Sequence, residues 1–532
     1  MSAPVAATGP ETIVPVRRPF WERFDDGMMA LSLANLCFIS AWFPPLYDPS
    51  FAYFSKIRVA RMTVLALGTN LLALALLIWL ALVVLRRLNN KWLDLAGHYL
   101  FLCLLLLPVN FIRGTLLGIT YLRLLEYLRH PVVLAGGLGC AGLLIWQHRR
   151  VSRLIAIALG VLSPFAIFIL VKLALLGFNV GVMADPTKQG LLQSPVAVAP
   201  DMPRVVWIIF DESDYRLMFD DRPAWLQLPE FDRLRRESVW AANALPPGGR
   251  TLVSMPALIS GQRISVGPIR DPSDLRLTLT RSGQVTNWSG LGSVFSSAQE
   301  LGANTALVGW YHPYSRVLRH GINYCSWFPF PTFGTAYPQG YGITMRRQIA
   351  SLFKGPDIRS LFVDVCRASL AEAVSVITNR DFGLTLLHLP PPHPPGIYLP
   401  EKHQLTSQPM PVATGYLNNL ALADQCLGTL RRALDEAGLT ERTWLIVSSD
   451  HSWRDSRIYD GRWSPRVPFF IKSPHESQSI TYPETFDTVL THDLILAILR
   501  KEIDGSASAV SWLDAHKSAT DTSAPARPAP GD

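Results

Sequence analysis

Cysteine is scarce in this sequence. Six residues are spread over 532 positions, and three of them, Cys37, Cys103 and Cys140, sit inside apolar runs. The other three, Cys325, Cys366 and Cys426, stand at no metal-like spacing, so a disulfide framework is excluded and one disulfide is the most they can form. Charge is missing from a second set of places. Five runs in the first third, Gly27–Phe43, Met62–Leu85, Leu95–Ile112, Pro131–Trp146 and Leu154–Val171, contain no Asp, Glu, Lys or Arg. Most of them approach the roughly 20 residues that a helix needs to cross a bilayer. Also lacking is a small-residue cleavage site after the first run, which excludes a removable signal peptide.

The net charge of +8 does not point to nucleic acid, because the basic residues lie beside the apolar runs. Arg17, Arg18 and Arg23 precede the first, Arg86, Arg87 and Lys91 follow the second, and Arg149, Arg150 and Arg153 follow the fourth. Opposite loops carry Lys56, Arg58, Arg61, Arg113, Arg123 and Arg129, a bias of nine against six that places the N-terminus in the cytoplasm and the chain after a fifth span outside. Leu117, Tyr121, Leu124, Leu125 and Leu128 have the spacing of an amphipathic helix, either on the outer membrane surface or packed in a core. The expected organisation is a cytoplasmic segment 1–26, a five-span domain 27–178, a linker 179–203, an extracytoplasmic domain 204–503 and a disordered Ala/Ser/Thr/Pro-rich tail 504–532.

Beyond the linker, short apolar runs alternate with helical stretches, the pattern of an α/β domain with a mainly parallel sheet. Val205–Phe210 reads as a strand buried on both faces and ends in Asp211-Glu212. Thr305–Val308 leads to His312, Leu384–Leu389 to a His-Pro segment containing His393, and Trp444–Val447 to Asp450-His451. Tyr416–Ala437 reads as a long helix, Val467–Ile471 as the last strand and Thr485–Leu499 as the last helix. Polar residues therefore collect at the C-terminal ends of strands, where open parallel sheets build their sites. The turn Gly248-Gly249-Arg250 delivers Thr251 into an apolar run ending at Ser260-Gly261, so Thr251 is either a helix cap or a nucleophile. With Glu212, Asp450 and His451 it offers three oxygens and one imidazole, a set suited to Zn²⁺ or Mn²⁺. Asp211 is a second candidate beside Glu212, since neighbours at a strand end point to opposite sides.

Four ordered blocks from about Arg204 to Leu499 resemble the sulfatase-like branch of the alkaline phosphatase superfamily. They are the strand ending at Glu212, the LPEFDRLRRESVWAANALPPGGRTLVSMPALISG segment, SVFSSAQELGANTALVGWYH, and LADQCLGTLRRALDEAGLTERTWLIVSSDH. The resemblance places Thr251 where sulfatases carry the residue converted to formylglycine, a conversion threonine cannot undergo. Met255 and Trp310 stand where sulfatases have an arginine and a lysine. A threonine nucleophile joined to five spans is instead similar to the lipid A phosphoethanolamine transferases and lipoteichoic acid synthases. That resemblance implies Thr251 as nucleophile, Glu212, Thr251, Asp450 and His451 as ligands of one divalent metal ion, and His393 and His312 on the substrate side. It further implies a phospholipid donor, an envelope glycolipid or glycan acceptor, and a bacterial inner membrane with the catalytic domain in the periplasm. The further histidine of the lipid A enzymes is replaced by Gly461-Arg462-Trp463-Ser464, where Arg462 is a candidate phosphate binder. Two other readings stay open: a hydrolase of soluble phosphate or sulfate esters, and a non-catalytic membrane module that keeps the fold.

Overall fold

Seven consecutive residues, Arg204–Phe210, form a strand in which every side chain is buried. Val205, Trp207 and Ile209 enter one hydrophobic core and Val206, Ile208 and Phe210 another, so the run lacks polar alternation because both sheet faces are covered. The structure, a computed structural model, describes residues 20–517 except 55–60, 89, 118, 120–123, 125–126, 180–189, 198, 200, 272, 319–320, 330–339 and 355–357.

The chain forms two units, one of residues 1–46, 61–178 and 340–353, the other of 47–60, 179–339 and 354–532. In the first unit, Arg61–Leu88 and Lys91–Leu116 are each long and apolar enough to cross a membrane. Asp25–Cys37 with Ile39–Tyr47, and Pro131–Trp146 with His148–Val161, reach that length only as pairs, bent by 72° and 85°. The five spans expected from the sequence thus become two, or four if each bent pair is one crossing. The expected fifth run is cut at Leu162, between helices ending at Val161 and starting at Ser163. Pro164 explains the cut: it has no N–H for residue 160 and is tolerated only in a helix's first turn. Much of the expected amphipathic segment after Arg113 lies outside the described residues. A stretch from the later sequence joins this unit instead. In the helix Tyr341–Lys354, the Tyr341 hydroxyl donates to Thr69 Oγ1 (2.7 Å) and Gln348 Nε2 to the Thr63 carbonyl (3.0 Å).

The main sheet of the second unit has nine strands among the described residues: β1 (Gly190–Leu191), β2 (Arg204–Phe210), β3 (Val239–Leu245), β4 (Thr305–Tyr311), β5 (Tyr324–Pro329), β6 (Leu384–Leu389), β7 (Thr443–Ser448), β8 (Phe469–Lys472) and β9 (Ile480–Asp487). Their spatial order is β1-β5-β4-β6-β2-β7-β8-β3-β9. The block from β5 to β7 is parallel throughout, whereas β8 runs antiparallel to both neighbours and β1 antiparallel to β5, giving a mixed sheet. Parallel pairing brings the C-terminal ends of β4, β6, β2 and β7 to one edge. The expected last helix is shorter than the sequence pattern implies, Thr491–Leu499, because Ile480–Asp487 pairs as an edge strand with a register shift around Pro483 and Glu484. Such an edge is where proline is tolerated. Part of the expected disordered tail is also ordered: Ser506–His516 is a helix that buries Ala509 and Leu513. Among the described residues no cysteine forms a disulfide.

One buried acid supports the fold away from the site. Asp424, on the helix Val412–Glu436, accepts from the backbone N–H of Phe231 (2.8 Å) at the start of the helix Pro229–Arg236. Burial pushes its carboxyl up to about 7. A folded-state value above the unfolded one means that the neutral form favours the fold, so this group's contribution falls as pH rises from about 4 to about 7 and is flat above. Asp424→Asn keeps the accepting oxygen and is expected to flatten thermal stability across that window while matching or exceeding the parent at pH 8.

Candidate active site

Thr251 is the first residue of the helix Thr251–Ser260, whose N-cap position is Arg250. Thr251 is thus the first helical residue and not the N-cap, so the cap alternative does not hold. The hydroxyl instead lies 3.2 Å from Asp211 Oδ2 and 3.2 Å from His451 Nε2, and is almost fully buried. Asp211 follows β2, His451 follows β7, and these two strands are parallel neighbours. Asp450 is adjacent, its Oδ2 3.5 Å from His451 Nε2. Asp211, Asp450 and His451 can each present one ligand atom with all three within 4.8 Å of one another.

Glu212 stands beside this group with φ at +68°, a left-handed conformation uncommon outside glycine. It is pinned from several directions. Its N–H donates to Asp450 Oδ1 (3.0 Å), and the Tyr416 hydroxyl donates to its carbonyl (2.8 Å) while Trp453 stacks on Tyr416 at 4.0 Å. Over-determined strain of this kind is characteristic of functional sites. The left-handed turn ends the strand's alternation, so the pleat no longer decides which of the two acids faces the nucleophile. Asp211 meets the Thr251 hydroxyl, whereas Glu212 receives the backbone N–H and Nε of Arg454 on Oε1 (3.2 and 3.1 Å) and has His393 Nε2 3.7 Å from Oε2. This reverses the order of the two acids expected from the sequence: Asp211 is central and Glu212 flanks it.

The donor set fits a divalent cation. His451 Nδ1 donates to the Ser452 carbonyl (2.9 Å), which turns the Nε2 lone pair toward Thr251. Glu212 Oε2 and Asp450 Oδ2 are buried with no hydrogen-bond partner among the described residues. Acceptors outnumber donors, and a positive centre is what would satisfy them. Electrostatics agree. Burial and the neighbouring Asp450 push the Asp211 carboxyl up. Burial also opposes ionisation of Asp450 and Glu212, yet His451 and the Glu212 N–H hold Asp450 below its usual value, and His393 and Arg454 do so for Glu212.

His312 and Arg462 are placed differently from expectation. His312 is completely buried, its Nε2 3.1 Å from the Thr251 carbonyl, and burial takes its pKa down to about 3. It braces the backbone of Thr251 and has no exposed surface. Arg462 is exposed and pairs with Asp460 (3.0 Å) and Asp221 (3.2 Å); none of its described bonds reaches the cluster. His393 does reach it, as Nδ1 donates to the Pro394 carbonyl and leaves Nε2 toward Glu212. Two contributors were not anticipated from the sequence. His388, in β6, donates from Nε2 to Asp211 Oδ2 (3.2 Å) and accepts from the Tyr314 hydroxyl (2.8 Å), burial keeping its ring neutral with a pKa of about 4. Its signal is a lone imidazole near the end of an otherwise apolar strand. Arg454, three residues past His451, had none.

The fold is an α/β sheet, parallel through its centre, that gathers a hydroxyl, acids and imidazoles at one edge. Residues 203–499, more than half of the chain, match the family model described as Sulfatase, and the chain belongs to the sulfatase family. Among solved structures it is similar to a phosphonate monoester hydrolase of Agrobacterium radiobacter (12% identity, 56% of this chain and 74% of that chain, TM-score 0.37). It is also similar to a sulfatase from Pseudoalteromonas sp. (15%, 61% and 74%, TM-score 0.40) and to a protein in the alkaline phosphatase superfamily from Vibrio parahaemolyticus (14%, 62% and 72%, TM-score 0.36). No curated protein matches the chain.

Proposed function

We propose that this chain is a metal-dependent, membrane-bound phosphotransferase that moves a phospho-headgroup, of the phosphoethanolamine or glycerophosphate type, from a phospholipid to an envelope glycolipid or glycan. The observation that carries the reading is the Thr251 hydroxyl held between Asp211 and His451 at a helix N-terminus, with unpartnered carboxylate oxygens beside it. Asp211, Asp450, His451 and the Thr251 oxygen would hold one zinc or manganese ion, with Glu212 adjoining. Such an ion, when bound, lowers the pKa of a hydroxyl and offsets charge on a phosphoryl oxygen.

Thr251 Oγ1 attacks the phosphorus, the bond from phosphorus to the diacylglycerol oxygen breaks, and that oxygen leaves with a proton. An acceptor hydroxyl then attacks the phospho-threonine, yields its proton and releases Thr251. The positive end of the helix dipole lies at Thr251 and favours its anionic form. His393 Nε2, beside Glu212, is placed to give and take these protons. His393→Gln is expected to lower kcat by about 10²-fold or more in steady-state release of diacylglycerol.

The membrane location rests on the apolar helices; the periplasmic side rests on the loop charges together with an odd number of crossings, which the apolar helix Ser163–Phe178 would supply if it crosses after the two long helices and the two bent pairs. Intact-mass spectrometry of full-length protein incubated with native lipids tests the reading: an adduct on Thr251 that names the transferred group is expected. Rapid cleavage of small soluble esters with phospholipids left untouched would replace the transferase by a hydrolase.

A further inference from the structure

The catalytic unit takes in residues 47–60, which in sequence lie between two apolar helices and far from every other part of that unit. Within this stretch the helix Pro49–Phe54 carries Tyr53, which has no exposed surface. Its hydroxyl is 3.0 Å from Nδ1 of His312, and His312 Nε2 is 3.1 Å from the carbonyl of Thr251. Proton placement along this chain is determined. A carbonyl can only accept, so His312 carries its proton on Nε2; Nδ1 is then an acceptor, and Tyr53 must donate to it. Burial raises the phenol well above its ordinary pKa, so it remains a donor.

The stretch is seated by more than this bond. Arg316 Nη1 donates to the Tyr53 carbonyl (3.1 Å), and Phe54 packs on Tyr311 with ring centroids 4.7 Å apart. Tyr311 itself has φ at +72°, the second left-handed non-glycine residue at this edge, and it precedes His312. Trp288 closes against the His312 ring, centroids 5.0 Å apart.

We propose that Tyr53 is a positioning residue of the active site, acting through His312 on the backbone of Thr251, so that the connector between the first two apolar helices completes the catalytic centre. The inference rests on Thr251 as nucleophile. Without the phenol hydroxyl, His312 Nδ1 is a buried acceptor with no donor, and the ring can relieve this only by moving off the Thr251 carbonyl. A nucleophile displaced by a fraction of an ångström loses turnover more than binding.

The test uses solubilised full-length protein with phosphatidylethanolamine and phosphatidylglycerol as donors, reading diacylglycerol release. Tyr53→Phe is expected to lower kcat about tenfold or more with KM within about threefold of the parent and metal content unchanged. Phe54→Leu, which loosens the same stretch without touching His312, is expected to lower the melting temperature and leave kcat within about twofold. Parental kcat in Tyr53→Phe, or an equal kcat loss in both variants, overturns the proposal. Thr251→Ala separates the two layers: if it is inactive while Tyr53→Phe is fully active, only this inference fails, and if it retains turnover, the nucleophile assignment fails and this inference with it.

Discussion

Thr251→Ala is expected to reduce kcat/KM by about 10³-fold or more, the scale of losing a nucleophile that acts together with its activating groups. Alanine removes the one oxygen that lies 3.2 Å from both Asp211 Oδ2 and His451 Nε2. The remaining ligand atoms are carboxylates and an imidazole oriented by Ser452, which the proposed metal ion would occupy. The loss should be chemical and not structural. The helix Thr251–Ser260 has Arg250 at its N-cap position, and the Thr251 hydroxyl bonds to Asp211 and His451 and not to the helix, so the variant should fold and melt close to the parent. Thr251→Ser sharpens the point: serine keeps the oxygen but loses the β-branch that fixes χ1, and should retain activity within about tenfold. Steady-state release of diacylglycerol measures both, and parental turnover by the alanine variant would exclude a phospho-threonine route.

Metal removal should have the second large effect. Dialysis against a chelator is expected to abolish turnover and lower the melting temperature, and zinc or manganese should restore both. The thermal effect follows from linkage: an ion at a hundredfold excess over its dissociation constant stabilises the fold that binds it by about 2.7 kcal/mol. The buried acids add to it, since Glu212 Oε2 and Asp450 Oδ2 are left unpartnered without a cation. Asp450→Ala should lower metal content measured by elemental mass spectrometry, whereas Arg462→Ala, at the surface with Asp460 and Asp221, should change neither metal nor turnover. Full activity in demonstrably metal-free protein would remove the metal from the mechanism.

Much of this centre was legible because parallel strands announce themselves. Val205–Phe210 and Trp444–Val447 are uninterrupted apolar runs and Leu384–Leu389 is broken only by Thr385 and His388, and each releases its polar residues at the same sheet edge. Periodicity was silent on β3, where Ala241, Ala242 and Asn243 give little strand propensity, and on β9, whose Pro483 and Glu484 read as a break. Both are held by neighbours and not by local preference. The order of Asp211 and Glu212 was hidden for a different reason: strand alternation applies only up to Phe210, and the left-handed turn at Glu212 is imposed by Asp450 and Tyr416 from elsewhere in the chain. Sequence position could not show that His312 is completely buried behind Thr251 or that Arg462 lies at the surface with Asp460 and Asp221. Hydropathy located the apolar runs of the first unit correctly but could not show the breaks at Phe38, Gln147 and Leu162.

The bond between Tyr53 and His312 joins residues 259 positions apart. During synthesis Tyr53 emerges first, and its partner follows only after the apolar helices and much of the catalytic sequence have been made. The active centre therefore matures late and keeps a piece of its earliest-made chain in reserve. A fragment cut after the last apolar helix would contain Thr251, Asp211, Asp450 and His451, and yet would leave the imidazole behind the nucleophile without its donor.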